Sequence, residues 1–484
     1  MTLSQKKITR FELMQEVKAL FLNKNSIKES VGIELETTPF HYDSSGKNLS
    51  VDFNTPNGDG TVDILRREFE ESTEIFYAPN NAGVPQFINA QKGNITFEPG
   101  GQIEYSSSAR ENIKSAISET GYNVSAITNS LNKQNLFTFF GAINPFNSVK
   151  DIELKLKKSR YIHMDRFLES IGPYGQQMMR LTSSIQVNLD LGKDDIMIER
   201  WKTAHFLAPV LTAIFSNSPF SSGQNASAKS FRSLIWQNMD RSRTGMVYSN
   251  QKNFIDRYLK FALDAFVIMS PNEKGEKGFW GKHITFNDWF SGGINGYYPS
   301  LEDWKNHITT LFPVVRPKGF FEFRCIDGQS RAWWAIPAIL LSRIMYSESA
   351  RKKINEQLGS YIDQLDAMQW KASIMGVQAF QQICSDVFEI ALNSDDYYAE
   401  DSLLEYAERF FKEYTHKGYS PADKLLRINN SDMFNFCQYL DFESREVDLA
   451  QQPDFAKIPE LKYTEDYRNS YSDHKNSPCK YCSC

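Results

Sequence analysis

The clearest pattern in the chain is TSSIQVNLDL at residues 182–191, where polar and apolar side chains alternate from Ser184 onward and predict a half-buried strand. The same two-residue period predicts strands over VGIELET (31–37), over two short stretches (94–97 and 102–106), and over FFEFRC (320–325). Pro99, Gly100 and Gly101 mark a turn between the short pair. Helical spacing predicts a helix over 8–29, with Phe11, Val17, Leu20 and Phe21 among charges, and one over 108–133, with Ile113, Ile117, Val124 and Ile127 on one side. Further helices are predicted over 201–215 and 252–268, and residues 332–411 read as almost wholly helical. The Gly, Ser, Asn and Asp of 41–60 and the small polar residues of 221–229 predict loops, the first of them mobile. With no internal repeat and no Pro-rich or Gly-rich linker, the expectation is one large α+β domain, its strands scattered along the sequence and its C-terminal part helical.

Side chains at i and i+2 of a strand share a face. That places Glu34 beside Glu36, opposite Ile33 and Leu35; it aligns Gln102, Glu104 and Ser106, with Glu98 just before the double glycine. It also aligns Gln186, Asn188 and Asp190, and pairs Glu322 with Arg324. A sheet with one wet face alternates in this way too. Solvated faces, however, usually mix Lys, Thr and Ser with Glu, whereas here five glutamates converge without lysines. Packed carboxylates repel and rise in pKa, and a hard divalent cation removes the conflict; oxygen donors of this kind suit Mg²⁺ or Mn²⁺. The pattern therefore points to an acidic face that binds divalent metal and nucleotide. Arg324, on the face of Glu322, can reach a phosphoryl oxygen, and Arg160, Arg180, Arg232, Arg241 and Arg243 are candidates to clamp a substrate carboxylate. Neither G-x-x-x-x-G-K-[ST] nor G-x-G-x-x-G occurs, so ATP would need another architecture.

Composition adds exclusions. The 484 residues carry 54 Lys and Arg against 59 Asp and Glu, a net charge of −5, without the basic footprint of a nucleic-acid binder. No apolar run is long enough to span a membrane, the N-terminus shows no secretory pattern, and six cysteines are too few for a disulfide scaffold, so a cytoplasmic protein is expected. Cys325, Cys384 and Cys437 lie in apolar contexts and are expected as buried thiols. Cys479, Cys482 and Cys484 crowd the last six residues. For this tail, 471–484, three readings stand open: a flexible end with incidental thiols, a soft-metal or redox site, or a thiol-bearing mimic that folds over the active site.

The ordered motifs GIELE (32–36), ITFEPGGQIEYS (95–106), RYIHM (160–164), MMRLTSSIQVNLD (178–190), FSNSPFSSG (215–223), SFRSLIWQNMDRSRTG (230–245), ITFNDW (284–289) and DWKNHITTLFPVVRPKGFFEFRCID (303–327) resemble the glutamate-cysteine ligase family, in the branch of plant and many bacterial enzymes. The resemblance spans about residues 31–345 and implies a curved six-stranded antiparallel sheet forming a funnel with outer helices, similar to the catalytic part of glutamine synthetase. It implies a single catalytic domain over 1–470 acting as a monomer or homodimer on small molecules. The implied reaction is phosphorylation of the glutamate side chain by ATP to γ-glutamyl phosphate, then attack by the amine of cysteine to give γ-glutamylcysteine, the first step of glutathione-type thiol synthesis. A ligase of the same mechanism with another amine acceptor is the alternative. Carried over by motif, Glu34, Glu36, Glu98, Glu104, Gln186 and Glu322 would hold Mg²⁺ or Mn²⁺, and Arg324 would face the transferred phosphoryl group, with Glu34 and Glu322 beside it in the chemistry. Arg232, Trp236, Thr182 and Arg160 would bind the amino-acid substrate.

Overall fold

The structure, a computed structural model, describes residues 7–22, 28–42, 48–81, 83–248 and 253–429. The alternating segments become strands of one antiparallel sheet: β1 (Val31–Tyr42), β2 (Asn48–Ser50), β3 (Ile75–Tyr77), β4 (Phe87–Asn89), β5 (Asn94–Phe97), β6 (Ile103–Ser106), β7 (Phe137–Phe139), β8 (Ser184–Leu189), β9 (Val315–Pro317) and β10 (Phe321–Asp327). Their spatial order is β9-β10-β8-β1-β6-β5-β4-β3, with β2 and β7 paired to the far end of β1. This sheet has ten strands where six were expected. Alternation marks five of the ten; the others, β2, β3, β4, β7 and β9, are three residues long, too short to show it. β1 in turn outruns its expected end because its residues 38–40 pair with β7 beyond the reach of β6 and β8.

Register decides what meets on the polar face. Glu36 lies opposite Glu104, Glu34 opposite Gln186, and Glu322 opposite both Asn188 and Arg316. The other face is apolar and dry: Ile33, Leu35, Ile185, Val187, Leu189, Phe321 and Phe323 are all buried. Each such side chain contributes about 1.5–3 kcal/mol of transfer free energy. Helices α3 (Ile113–Asn132) and α6 (Asp194–Ile214) and the helix Ile336–Tyr346 cover that face. Across the polar side, α4 (Ser159–Ile171), α5 (Pro173–Leu181) and α7 (Phe231–Met239) pack on one another. The result is a mixed α/β architecture with a large antiparallel sheet and many helices.

Among the other expected elements, α1 is shorter than predicted, Arg10–Leu20, and starts where Thr9 and Glu12 form a reciprocal capping box. The helix α6 begins earlier than predicted, at Asp194, where two aspartates in the first turn favour the positive end of the helix dipole. The stretch 41–60, expected as a loop, contains β2. Cys325 and Cys384 are buried free thiols, as expected. Cys437 and the tail cysteines Cys479, Cys482 and Cys484 lie outside the described residues. No described helix is long and apolar enough to cross a membrane.

The Pro99-Gly100-Gly101 turn joins β5 to β6 against α5. A Cβ on Gly100 would sit 2.1 Å from the Arg180 carbonyl oxygen, and Gly101 adopts a left-handed φ of +98°. Gly100→Ala should therefore destabilise the protein by about 1–3 kcal/mol, because backbone must move to admit the methyl group. Urea unfolding midpoints check this against Gly359→Ala, whose added methyl would meet nothing within 4 Å; equal midpoints for the two variants would contradict the close approach.

Candidate active site

The polar face of β1, β6 and β8 floors a cleft of about 280 Å³. Glu34, Glu36, Glu98, Glu104, Gln102, Ser184 and Gln186 form its base. Tyr161 and Met164 of α4, Met178 and Met179 of α5, and Phe312 give it an apolar wall, while Arg160, Arg232, Arg316, Lys318 and Arg324 bring positive charge.

The carboxylates fall into two electrostatic classes. Glu34 accepts from Asn188 Nδ2 at 2.8 Å, and Glu104 from Thr96 Oγ1 at 3.1 Å and Ser106 Oγ at 2.9 Å. Glu36 accepts from the Ser184 amide at 2.8 Å, its hydroxyl at 3.0 Å and Gln186 Nε2 at 3.2 Å. These bonds do not offset confinement. Burial, reinforced by Glu104 and Glu322, pushes Glu34 up to about 7; burial and Glu36 push Glu104 up to about 7. Burial raises Glu36 as well, and burial with Glu104 and Glu36 holds Glu98 well above the usual carboxylate range.

Glu322 is the opposite case. It is fully buried, which alone would raise its pKa, yet Arg316, Arg324 and Lys318 together hold it well below the usual range. Arg316 donates through Nε at 2.6 Å and Nη2 at 3.0 Å, Lys318 through Nζ at 2.8 Å, and Arg324 through Nη1 at 2.7 Å. Arg324 Nη1 also bonds Gln186 Oε1 at 2.6 Å, and its guanidinium lies 5.4 Å from the Trp236 ring centre and 5.8 Å from that of Phe312.

The structure brings together every residue expected at the site, but not in every expected state. Both Glu322 oxygens are taken by cations, and Gln186 Oε1, the amide's one metal-ligating atom, is taken by Arg324. These two expected metal ligands are therefore occupied as an ion-pair network. Thr182 lines the cleft with its hydroxyl given to the Met178 carbonyl at 2.7 Å. Among the candidate clamps, Arg160 and Arg232 line the cleft. Arg180 instead bonds both oxygens of Asp165, at 2.6 and 2.7 Å, and Arg243 is sealed in the core against Asp240 and Thr310. Arg241 reaches only Asn238, at 3.5 Å, outside the cleft. Sequence reasoning assigned no role to Arg316 or Lys318, whose partner Glu322 becomes evident only through the pairing of β9 with β10. It also passed over Asp327, which is held by the Asn217 amide (2.9 Å), Ser218 (2.7 Å) and Ser230 (2.9 Å) and lies 3.7 Å from Arg232.

Several buried polar atoms of the cleft residues have no hydrogen-bond partner among the described residues: Trp236 Nε1, Arg232 Nε, Arg324 Nε and Gln102 Oε1. Leaving such a group unmet costs about 1–3 kcal/mol. Glu34, Glu36, Glu98 and Glu104 supply the charge for a divalent cation. Among the described residues no three His, Cys, Asp or Glu side chains already form a metal cage.

Residues 30–430 match the model of glutamate-cysteine ligase family 2. The chain is 30% identical over 357 residues to the chloroplastic glutamate–cysteine ligase of Medicago truncatula, covering 70% of this chain and 68% of that protein. It is 31% identical to the chloroplastic enzyme of Solanum lycopersicum, covering 70% and 66%. A solved glutamate–cysteine ligase from Francisella tularensis in complex with AMP superposes with a TM-score of 0.48 at 15% identity, over 90% of each chain. The plant names correct one expectation: these relatives are chloroplastic, so the cytoplasmic placement does not stand. It was inferred from the lack of a secretory pattern, which does not separate cytoplasm from plastid.

The carboxylate shifts carry a sign. Folded and metal-free, Glu34 and Glu104 keep protons up to about pH 7, whereas the unfolded chain releases them near 4.5. The folded state then binds more protons between these values, and stability falls as pH rises through them. Glu322 stays ionised there and adds no slope. The thermal midpoint of metal-free protein should fall between about pH 4.5 and 7, with Glu34→Gln flattening the fall and millimolar MgCl₂ adding more at the upper end. Differential scanning calorimetry checks this; a midpoint indifferent to pH, with an equal metal increment throughout, would contradict it.

Proposed function

The chain belongs to glutamate-cysteine ligase family 2, and from that premise we propose that it is an ATP-dependent ligase that joins glutamate through its γ-carboxyl group to the amine of cysteine. A γ-carboxylate oxygen attacks the terminal phosphorus of ATP, releasing ADP and forming γ-glutamyl phosphate. The cysteine amine then attacks the acyl carbon and expels phosphate, leaving γ-glutamylcysteine after loss of a proton. The observation that carries this reading is one cleft lined by both signs of charge: Glu34, Glu36, Glu98 and Glu104 for a divalent cation, and Arg160, Arg232, Arg316, Lys318 and Arg324 for phosphoryl and carboxylate oxygens.

Glu34, Glu36, Glu98 and Glu104 would hold Mg²⁺ or Mn²⁺, which when bound neutralises charge on the transferring phosphoryl group. The rest falls to this chain's own residues. Arg324, fixed by Glu322 and Gln186, faces phosphoryl oxygens; Glu322 is the positioning residue that holds its guanidinium in place. Arg232, steadied by Asp327, and Trp236 clamp a substrate carboxylate, with Arg160 as a second clamp. Thr182, which lines the amino-acid pocket, is held by Gln102, whose Nε2 donates to the Thr182 carbonyl at 2.8 Å. Met164, Met178, Met179 and Phe312 exclude water that would hydrolyse the acyl phosphate. The expected funnel-shaped sheet like that of glutamine synthetase, in one catalytic domain over 1–470, belongs to the same reading.

The test is ADP release with products identified by mass, over glutamate and a panel of amines. Equal amounts of ADP and γ-glutamylcysteine, formed only when glutamate, cysteine and a divalent cation are all present, are expected. A different γ-glutamyl product formed faster would favour another acceptor, and ADP release that ignores glutamate would overturn the reading. Glu34→Gln should lower kcat by about 100-fold or more, because charge developing in the transition state loses preorganised neutralisation; near-normal turnover would remove Glu34 from the site.

A further inference from the structure

Three cations hold Glu322, and they are not equivalent. Arg316, its side chain 15% exposed, makes two bonds to it, and Arg324, 13% exposed, bridges to Gln186. Lys318 makes one ion pair, at 2.8 Å to Oε1, and its side chain is 39% exposed. It stands on the hairpin turn between β9 and β10. There the Lys318 amide donates to the Phe320 carbonyl at 2.9 Å, Gly319 is left-handed at φ +82°, and the Gly319 amide donates to the Leu20 carbonyl at 2.7 Å. The backbone of the turn is thus pinned, while the ammonium on its flexible four-carbon stem lies 5.4 Å from the centre of the Phe320 ring, and Lys318 lines the cleft together with Glu34, Glu36, Glu98 and Glu104.

A lysine at this place is unusual on physical grounds. The two guanidiniums already balance the single charge of Glu322, so pairing requirements do not call for a third cation. What stays uncompensated is the neighbouring set of carboxylates, and the Lys318 charge reaches them: it favours the ionised forms of both Glu34 and Glu104. An ammonium is a compact point charge on a mobile stem, able to stand where a cation is wanted and to leave at small cost, unlike a guanidinium fork.

We propose that Lys318 is a displaceable counter-cation: its ammonium compensates the carboxylates of the cleft until a divalent cation enters, and the two compete for the same charge. This rests on the reading of the cleft as a divalent-cation site and adds to it a residue that sets how readily the empty site takes metal. The competition has a use. Metal entering alone must displace an ammonium that already offsets part of the negative charge, whereas metal entering with a nucleotide brings phosphate oxygens, a new partner for the expelled ammonium at the mouth of the cleft. Lys318 therefore biases the protein toward taking metal and nucleotide together.

The measurement is Mn²⁺ binding to nucleotide-free protein, followed by electron paramagnetic resonance of the free ion, for wild type, Lys318→Met, Lys318→Arg and Glu34→Gln. Removing one like charge from the neighbourhood of an entering cation should tighten Mn²⁺ binding about fivefold or more in Lys318→Met. Lys318→Arg should stay near wild type or bind more weakly, and Glu34→Gln should weaken binding. Unfolding midpoints confirm that each variant is folded, which the half-exposed position of Lys318 favours. Lys318→Met binding no tighter than wild type, with Glu34→Gln still weakened, overturns the counter-cation and leaves the metal site standing. Failure of both wild type and Lys318→Met to bind Mn²⁺ overturns the two together.

Discussion

Four glutamates gathered in one cleft on the polar side of a sheet cannot all be ionised without a cation among them. At an effective dielectric constant near 20, two unit charges about 4 Å apart interact by about 4 kcal/mol, and Glu36 lies directly opposite Glu104. The protein could spread these groups into solvent, and does not. It packs α4, α5 and α7 over them and lines the remaining space with methionines and aromatic rings. Such confinement is a standing cost to the empty protein, and it is repaid when a divalent ion and anionic substrate occupy the cleft. The apolar face beneath, closed by α3, α6 and the helix Ile336–Tyr346, supplies stability that makes this strained face tolerable.

Glu322 shows how far neighbours decide the character of a carboxylate. It sits on the same sheet face and is more buried than the others, yet it stays ionised because two guanidiniums and an ammonium converge on it. Its place in the reaction changes accordingly. It orients Arg324, which through Gln186 is tied back to Glu36, so a continuous chain of hydrogen bonds runs from the positive wall of the cleft to its negative floor. A site that must hold phosphate against carboxylate needs both signs within a few ångströms, kept from collapsing on one another, and the Gln186 amide is the spacer that does this.

Much of this was legible in the sequence, because the two-residue period carries facing information. Glu34, Glu36 and Glu104 were assigned to a shared surface from alternation alone, and the structure places them on it. Glu98 was assigned from its place before Pro99-Gly100-Gly101, a turn that the fold confirms with a contact no larger residue could make at Gly100. What could not be read was pairing. Nothing in VVRPKGFFEFR says that Arg316 and Lys318 fold back on Glu322, since that follows from where the hairpin turns. Likewise, Arg180 and Arg243 look like Arg232 in sequence, and only tertiary partners, Asp165 for one and Asp240 for the other, show that they are spent on structure. The short strands β2, β3, β4, β7 and β9 were missed because three residues contain too little pattern.

The central claim is that carboxylates of the empty cleft carry protons which a divalent cation replaces. Infrared difference spectra of the metal-free protein on addition of Mg²⁺, near pH 6 where carboxylates raised to about 7 are still protonated, test this directly. The account predicts loss of the protonated carboxyl band, gain of carboxylate bands and release of protons to the medium, all diminished in Glu34→Gln. Mg²⁺ that binds without any loss of protonated carboxyl, or a metal-free protein that shows no such band at this pH, would contradict it.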